Sequence, residues 1–211
     1  MIDDSVFNEI RKRTAQYYKH SHHDKYHVER VYNLALRIAQ EEKADIDTVK
    51  AAALLHDIAR SQEDEGTIND HASEGAKMAN KILSEVNSPK EKIPNVIHCI
   101  ETHRFRKQLT PKTLEAKILQ DADRLDIIGA IGIARVFTRG GWSNTPIHDP
   151  KIKPKTKYDG KSETATNHIQ EKLLKIRDTI NTETAKKIAD ERHTYVEQFL
   201  ERLLKEWKAE I

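Results

Sequence analysis

The stretch "YHVERVYNLALRIAQEE", residues 26 to 42, carries its apolar residues at helical spacing and decides the class of fold. Residues at i, i+4, i+7 and i+11 fall on one face of an α-helix. That face consists of His27, Val31, Leu34 and Ile38. It is apolar except for the histidine, which the pattern turns toward the core. The same period recurs along the chain and we find no alternating strand pattern, so the sequence predicts an all-α fold.

The other elements follow from apolar spacing, capping residues and prolines. Residues 139–160 hold three of the six prolines and three of the seven glycines, which predicts a long loop and a candidate lid or active-site wall. We expect one domain over residues 1–211, with a core over about 20–138, this loop, and C-terminal helices over 162–208. Helices are predicted over 48–60 with Asp47 or Thr48 as N-cap, 69–85 with Asp70 as cap, 91–105, 111–137, 162–178, and 182–208 capped by Thr182.

Length and composition exclude several classes of protein. The 211 residues are enough for a real core, and a net charge of +2 gives no concentrated basic face of the kind that binds nucleic acid. The single cysteine, Cys99, excludes an internal disulfide and fits a reducing compartment. The sequence contains no long apolar run of the kind that would predict a signal peptide or a membrane span. We therefore expect a cytoplasmic protein without nucleic-acid or membrane partners, whose charge-rich last helix is a candidate contact in a homodimer.

Candidate chemistry begins at "AAALLHDIAR", residues 51–60, where His56 and Asp57 follow five small or apolar residues. Buried charges are paired or coordinate metal, because an unpaired one costs several kcal/mol. Neighbours on a helix project about 100° apart, so both side chains can reach one point beside the helix end. Histidine and carboxylate ligands suit Mn, Fe, Co, Mg or Zn and leave positions open for water and substrate. Further ligands are available at His27 and at three carboxylates in "LQDADRLD", residues 119–126 of the otherwise mostly apolar predicted helix 111–137, namely Asp121, Asp123 and Asp126.

These residues also carry a family resemblance. "DKYHVERV", "ALLHDIA" and "DADRLD" resemble, in this order, the H…HD…D signature of the HD-domain metal-dependent phosphohydrolases. "DHASEGA", "IETHRF" and "NHIQEKLLKI" extend the likeness over about residues 20–205, to a group of single-domain bacterial and archaeal HD hydrolases. The resemblance implies a helical bundle with a metal site between core helices and a divalent ion (Mn, Mg, Fe, Co, Ni or Zn). The ligands it implies are His27, His56, Asp57 and Asp123, with Asp121 as the alternative to the last.

The resemblance also implies a reaction. Better-understood members of the group split nucleoside triphosphates, so we expect a small phosphorylated nucleotide to be hydrolysed to the monophosphate and pyrophosphate by metal-activated water. Asp57 would accept a proton or orient that water, and Arg60 is the candidate cation nearest in sequence that could face the phosphoryl oxygens. His71 and His103 match positions that bind a second metal; they could hold a second ion, contact phosphate or hydrogen-bond to the first site. Further cationic candidates are Lys25, Arg104, Arg106 and Arg124.

Three alternatives to this reaction stay open. The same site could act as a nucleotide phosphomonoesterase, because the fold does not choose between the two reactions. It could hold metal and nucleotide without turnover, as a regulatory module. An iron-dependent oxygenase would use both histidine layers, although no feature of the sequence favours it. Alarmone hydrolysis is less favoured, because the acidic pair Glu63 and Asp64 lies farther beyond the HD dipeptide than in those enzymes.

Overall fold

The computed structural model describes residues 2–18, 25–104 and 109–211, and within these ranges the regular structure is helical, without strands. This confirms the all-α prediction. The α-helices are α1 (Asp4–Thr14), α2 (Lys25–Glu42), α3 (Ile46–Leu55), α4 (Arg60–Asp64), α5 (His71–Glu85), α6 (Ile93–Thr102), α7 (Leu114–Leu125), α8 (Gly129–Trp142), α9 (Ala165–Glu171) and α10 (Glu183–Trp207). Short 3-10 helices cover Ala15–Tyr17, Leu173–Lys175 and Arg177–Thr179. No helix in the described part of the chain is long and apolar enough to cross a membrane.

The chain divides into two compact units, Met1–Asp123 and Arg124–Ile211. In the first unit, α2 and α6 both pack against α3, α5 packs against α6, and α1 also contacts α3. Helix α3 is therefore central, and its residues from Ala51 to Leu55 are fully or almost fully buried. The large buried side chains of this unit include Ile38, Leu55, Leu83, Ile100 and Leu119.

In the second unit, α10 packs against α8 and α9. The segment between α8 and α9 contains most of the predicted loop, whose first residues belong to α8 instead. Glu171, which is 4% exposed, accepts hydrogen bonds from the backbone N–H of Lys155 at 2.8 Å and from the hydroxyl of Ser162 at 2.5 Å. A buried carboxylate thus fixes the end of this segment to α9.

One predicted helix ends earlier in the structure, and another is divided in two. The predicted helix 48–60 runs only over Ile46–Leu55, and its N-cap is Asp45 rather than Asp47 or Thr48. The carboxylate of Asp45 accepts from the Asp47 backbone N–H and from the Thr48 hydroxyl, so both predicted caps are its hydrogen-bond donors. The predicted helix 111–137 is two helices, because Ile128 is extended and Gly129 has a φ of +76°, a conformation that glycine adopts without strain.

Two helices of the structure are absent from the prediction, and the last two predicted helices are found with partly different bounds. Helices α1 and α4 were not predicted, because neither carries the long apolar period on which the prediction depends. The predicted helix 162–178 contains α9 followed by the two 3-10 turns Leu173–Lys175 and Arg177–Thr179. Helix α10 begins after Thr182, as its capping pattern predicts.

Candidate metal centre

His56 and Asp57 lie in the turn between α3 and α4, not within a helix as the sequence predicts. Helix α3 ends at Leu55, and the turn is closed by the Arg60 N–H, which donates to the Asp57 carbonyl at 2.9 Å. Both side chains are buried, with His56 0% and Asp57 4% exposed. The turn places an imidazole and a carboxylate at the buried end of the central helix of the first unit.

The Asp57 carboxylate lies between two pairs of histidines. Its Oδ2 is 3.5 Å from Nε2 of His27 and 3.8 Å from Nε2 of His56. Its Oδ1 is 3.4 Å from Nε2 of His71 and 3.5 Å from Nε2 of His103. These four ring nitrogens come from three helices or their ends and from the turn, yet they converge on one carboxylate.

The spacing of these atoms fits metal ligands. Two ligand atoms about 2.1 Å from one ion lie about 3.0 Å apart at a right angle and about 3.4 Å apart at the tetrahedral angle. Nε2 of His27 is 3.4 Å from Nε2 of His56, and the same distance joins His71 and His103. Each pair forms a buried three-residue group with Asp57 whose ligand atoms all lie within 4.8 Å of one another. The donor set therefore suits a divalent ion in either group.

The outer nitrogens of two rings support this assignment. Nδ1 of His56 lies 2.8 Å from the carbonyl oxygen of Ala53, and Nδ1 of His103 lies 2.6 Å from that of Ile100. Because a carbonyl oxygen only accepts, each Nδ1 carries a hydrogen. In the neutral ring, Nε2 is then the nitrogen with a free lone pair, as a metal ligand requires.

Burial and nearby negative charges shift the pKa values of these rings in opposite directions. Burial lowers the pKa of His56 to about 4, so this ring is neutral at neutral pH, as a metal ligand must be. Burial also lowers the pKa of His103, but the hydrogen bond to Asp57 and the charges of Asp57 and Asp123 outweigh it, and the pKa is raised. The carboxylates of Asp57 and Asp123 thus favour a positive charge at His103.

The three carboxylates of residues 119–126 have different surroundings. Asp123 places Oδ1 3.5 Å from Nε2 of His27, on the same side as the first histidine pair. Asp121 is fully buried. Asp126 is paired with Arg135 at 2.7 Å in the second unit. Asp123 therefore has the geometry of a ligand, and Asp126 has a structural ion pair.

The predicted cations are held by other groups. Arg60 Nη2 lies 3.0 Å from the carboxylate of Asp64, while its Nη1 is 3.4 Å from Nδ1 of His71, so it borders the pocket. Arg104 donates to two carboxylates beside His71. Arg124 is buried in the second unit, where it donates to the carbonyl of Thr179. Arg106 and the side chain of Lys25 lie outside the described residues.

One residue beside the site was missed by the sequence prediction. Glu63 contacts both His71 and Arg104. From the sequence, Glu63 and its neighbour Asp64 served only as an argument against alarmone hydrolysis. No sequence signal could identify this contact, because it joins α4 to the start of α5 across an irregular turn. A carboxylate six residues after the HD dipeptide is otherwise typical of a solvated helix.

Comparisons with known proteins agree with this geometry. The HD domain family model matches residues 25–128, a range that contains all five residues of the two histidine groups and Asp123. The uncharacterized protein YpgQ of Bacillus subtilis is 37% identical over 190 residues, which are 88% of this chain and 85% of YpgQ.

Solved structures extend the likeness over nearly the whole chain. An HD-superfamily hydrolase from Bacillus thuringiensis has a TM-score of 0.78 and 36% identity, covering 98% of both chains. A structure of Bacillus subtilis YpgQ in complex with ADP has a TM-score of 0.75 and 33% identity, covering 96% of this chain and 95% of that one. With its ordered H…HD…D residues brought together in one buried pocket, this chain belongs to the HD-domain superfamily of metal-dependent phosphohydrolases.

Proposed function

We propose that this protein hydrolyses a nucleoside triphosphate to the monophosphate and pyrophosphate, using a divalent ion held by His27, His56, Asp57 and Asp123. The observation that carries the proposal is the position of Asp57, whose two carboxylate oxygens each face a pair of histidine Nε2 atoms. A nucleotide is the substrate class because the relative YpgQ was crystallised with ADP. A second ion would lie between Asp57, His71 and His103.

We assign different roles in the proposed reaction to the residues of the pocket. A divalent ion bound there supplies Lewis-acid chemistry, lowering the pKa of water and withdrawing charge from phosphoryl oxygens. Asp57 is the residue that we assign to orient the attacking water, because its Oδ1 and Oδ2 face the two histidine pairs. Arg60 borders the pocket beside His71 and is the cation that we assign to the phosphoryl oxygens, with Asp64 holding the guanidinium from its other side.

The test is the release of phosphate and pyrophosphate from a panel of nucleoside tri-, di- and monophosphates. Mn²⁺, Mg²⁺, Co²⁺ or Ni²⁺ is supplied in turn. Asp57→Ala removes the shared carboxylate. Glu74→Gln is the matched control, because it removes a carboxylate that pairs with Lys77 on the surface of α5. We expect pyrophosphate release that is lost in Asp57→Ala and retained in Glu74→Gln.

The other outcomes assign other functions. Phosphate released from monophosphates, without pyrophosphate from triphosphates, would make the protein a phosphomonoesterase. Stoichiometric metal and nucleotide binding without turnover of any substrate would make it a binding module. Turnover that survives Asp57→Ala would place the chemistry outside this pocket.

A further inference from the structure

Glu63 accepts more hydrogen bonds than is usual for a solvent-exposed residue on a helix. It lies on α4, with its side chain only 17% exposed. Its Oε2 accepts from the backbone N–H of His71 at 2.8 Å and lies 2.7 Å from Nδ1 of the same residue. Its Oε1 accepts from Arg104. One carboxylate thus serves a ring of the candidate metal centre on one side and a guanidinium on the other.

The backbone contact shows why Glu63 is fixed in place. The first N–H groups of a helix have no partner within the helix and need an acceptor from outside it. Asp70 is at the N-cap of α5, but its side chain makes no capping hydrogen bond, and its Oδ1 lies 3.0 Å from Arg104 Nη1. Glu63 accepts the His71 N–H instead. It therefore holds both the backbone and the ring of the first residue of α5.

The ring contact determines which nitrogen of His71 carries the hydrogen. An ionised carboxylate only accepts, so at 2.7 Å Nδ1 is the donor. Arg60 Nη1 is also a donor, and at 3.4 Å it makes the weaker contact with Nδ1. With the hydrogen on Nδ1, the lone pair of Nε2 points toward Asp57 Oδ1 at 3.4 Å and His103 Nε2 at 3.4 Å.

The surroundings of Glu63 favour its ionised form, because the guanidinium of Arg104 pairs with Oε1, while the backbone N–H and Nδ1 of His71 lie within hydrogen-bond distance of Oε2. The rings of His56 and His103 reach the same tautomer with neutral backbone carbonyls as acceptors. Unlike those two rings, His71 has an acceptor that carries a full negative charge, which makes its Nε2 a more electron-rich ligand than theirs.

We propose that Glu63 is a positioning residue, which fixes His71 in the tautomer that presents Nε2 to Asp57 and His103. The proposal rests on the proposed metal-dependent function, since that function gives the Nε2 lone pair its use. Carboxylates that orient a metal-binding histidine typically account for about 10–100-fold of metal affinity or activity. We expect a loss of this size at the His71 side of the pocket when Glu63 is removed.

The test reads the tautomer directly. Long-range ¹H–¹⁵N spectra of the full chain labelled with ¹⁵N-histidine distinguish a protonated from an unprotonated ring nitrogen, with and without Mg²⁺. His71→Asn identifies the His71 signals. In the unmodified protein we expect Nδ1 protonated. Glu63→Ala should lose this single tautomer and weaken Mg²⁺ binding about 10–100-fold, whereas Glu63→Gln should retain the tautomer, because the amide oxygen still accepts. Glu74→Gln should match the unmodified protein in both readings.

Two results would overturn the proposal. One is protonated Nε2 at His71 in the unmodified protein, a reading that does not depend on whether any variant folds. The other is an unchanged His71 tautomer in a folded Glu63→Ala variant. Neither reading requires turnover, so a protein that hydrolyses no nucleotide but shows the expected tautomers would contradict the proposed function and leave the role of Glu63 standing.

Discussion

Replacing Asp57 by asparagine tests the metal centre by thermodynamics rather than by turnover. The substitution keeps the shape of the side chain but removes its charge and turns one of the two carboxylate oxygens into an NH₂ group. Since Oδ1 and Oδ2 each face a different pair of histidines at 3.4–3.8 Å, the amide can offer an oxygen to one pair only. The variant should therefore lose most of its affinity for divalent ions while keeping the packing of the turn.

The size of the effect follows from linkage. An ion present at 100 times its dissociation constant stabilises the native state by about 2.7 kcal/mol. For a chain of about 200 residues this raises the midpoint of thermal unfolding, Tm, by about 5–10 °C. A loss of affinity of about 100-fold, the upper end for perturbed metal sites, leaves about 0.4 kcal/mol and a rise of about 1 °C at the same metal concentration.

The assay is thermal unfolding at fixed pH with increasing Mn²⁺, each protein being compared with its own metal-free Tm. The unmodified chain and Glu74→Gln should show the large rise, and EDTA should reverse it. The Asp57→Asn variant should show the small one. An equally large rise in Asp57→Asn would refute the reasoning, because the stabilising ion would then bind somewhere that Asp57 does not reach.

The remaining predictions concern stability. Gly132→Ala should lower the free energy of unfolding in urea by about 2–3 kcal/mol, because its Cβ would lie 2.0 Å from the carbonyl oxygen of Ile127; an unchanged midpoint would contradict this. Gly75→Ala should raise it by about 0.5–1 kcal/mol, because its Cβ would meet the His56 carbonyl oxygen at an ordinary 3.6 Å and alanine favours helix; a loss of stability would contradict this. Burial, followed by nearby positive charges, lowers the pKa of His168 to about 3 in the folded state. The unfolded state then binds more protons below about pH 6.5, and stability falls as the pH drops from 6.5 toward 3. Between pH 6.5 and 5 the unmodified chain should lose about 1–2 kcal/mol more than His168→Gln, and equal losses in urea titrations would contradict the assignment.

Much of the candidate site could be predicted from the sequence because its residues are out of place in apolar helices. His27 interrupts an apolar face, and His56 and Asp57 follow five small or apolar residues. Burial makes such groups expensive unless they are paired or bind a metal, so their presence alone indicates a site. The helical period likewise indicates the fold class, since it is repeated within each long element.

The choice between neighbouring carboxylates could not be made in this way. Asp121 and Asp123 are two residues apart and point about 200° away from each other on a helix, so only one can face His27. Both lie within "LQDADRLD", residues 119–126, and the sequence pattern does not show which face of α7 meets α2. In the structure, the contact of 3.5 Å belongs to Asp123.

The sequence by itself determined that the chain is helical and which residue types would meet in a buried pocket, because period and burial cost act on each segment separately. Only the tertiary structure decided that His56 and Asp57 occupy a turn, that Asp57 is shared by two histidine pairs, and that Glu63 holds His71. These are contacts between residues distant along the chain or separated by irregular turns. Their geometry depends on how whole helices pack, and no local pattern encodes it.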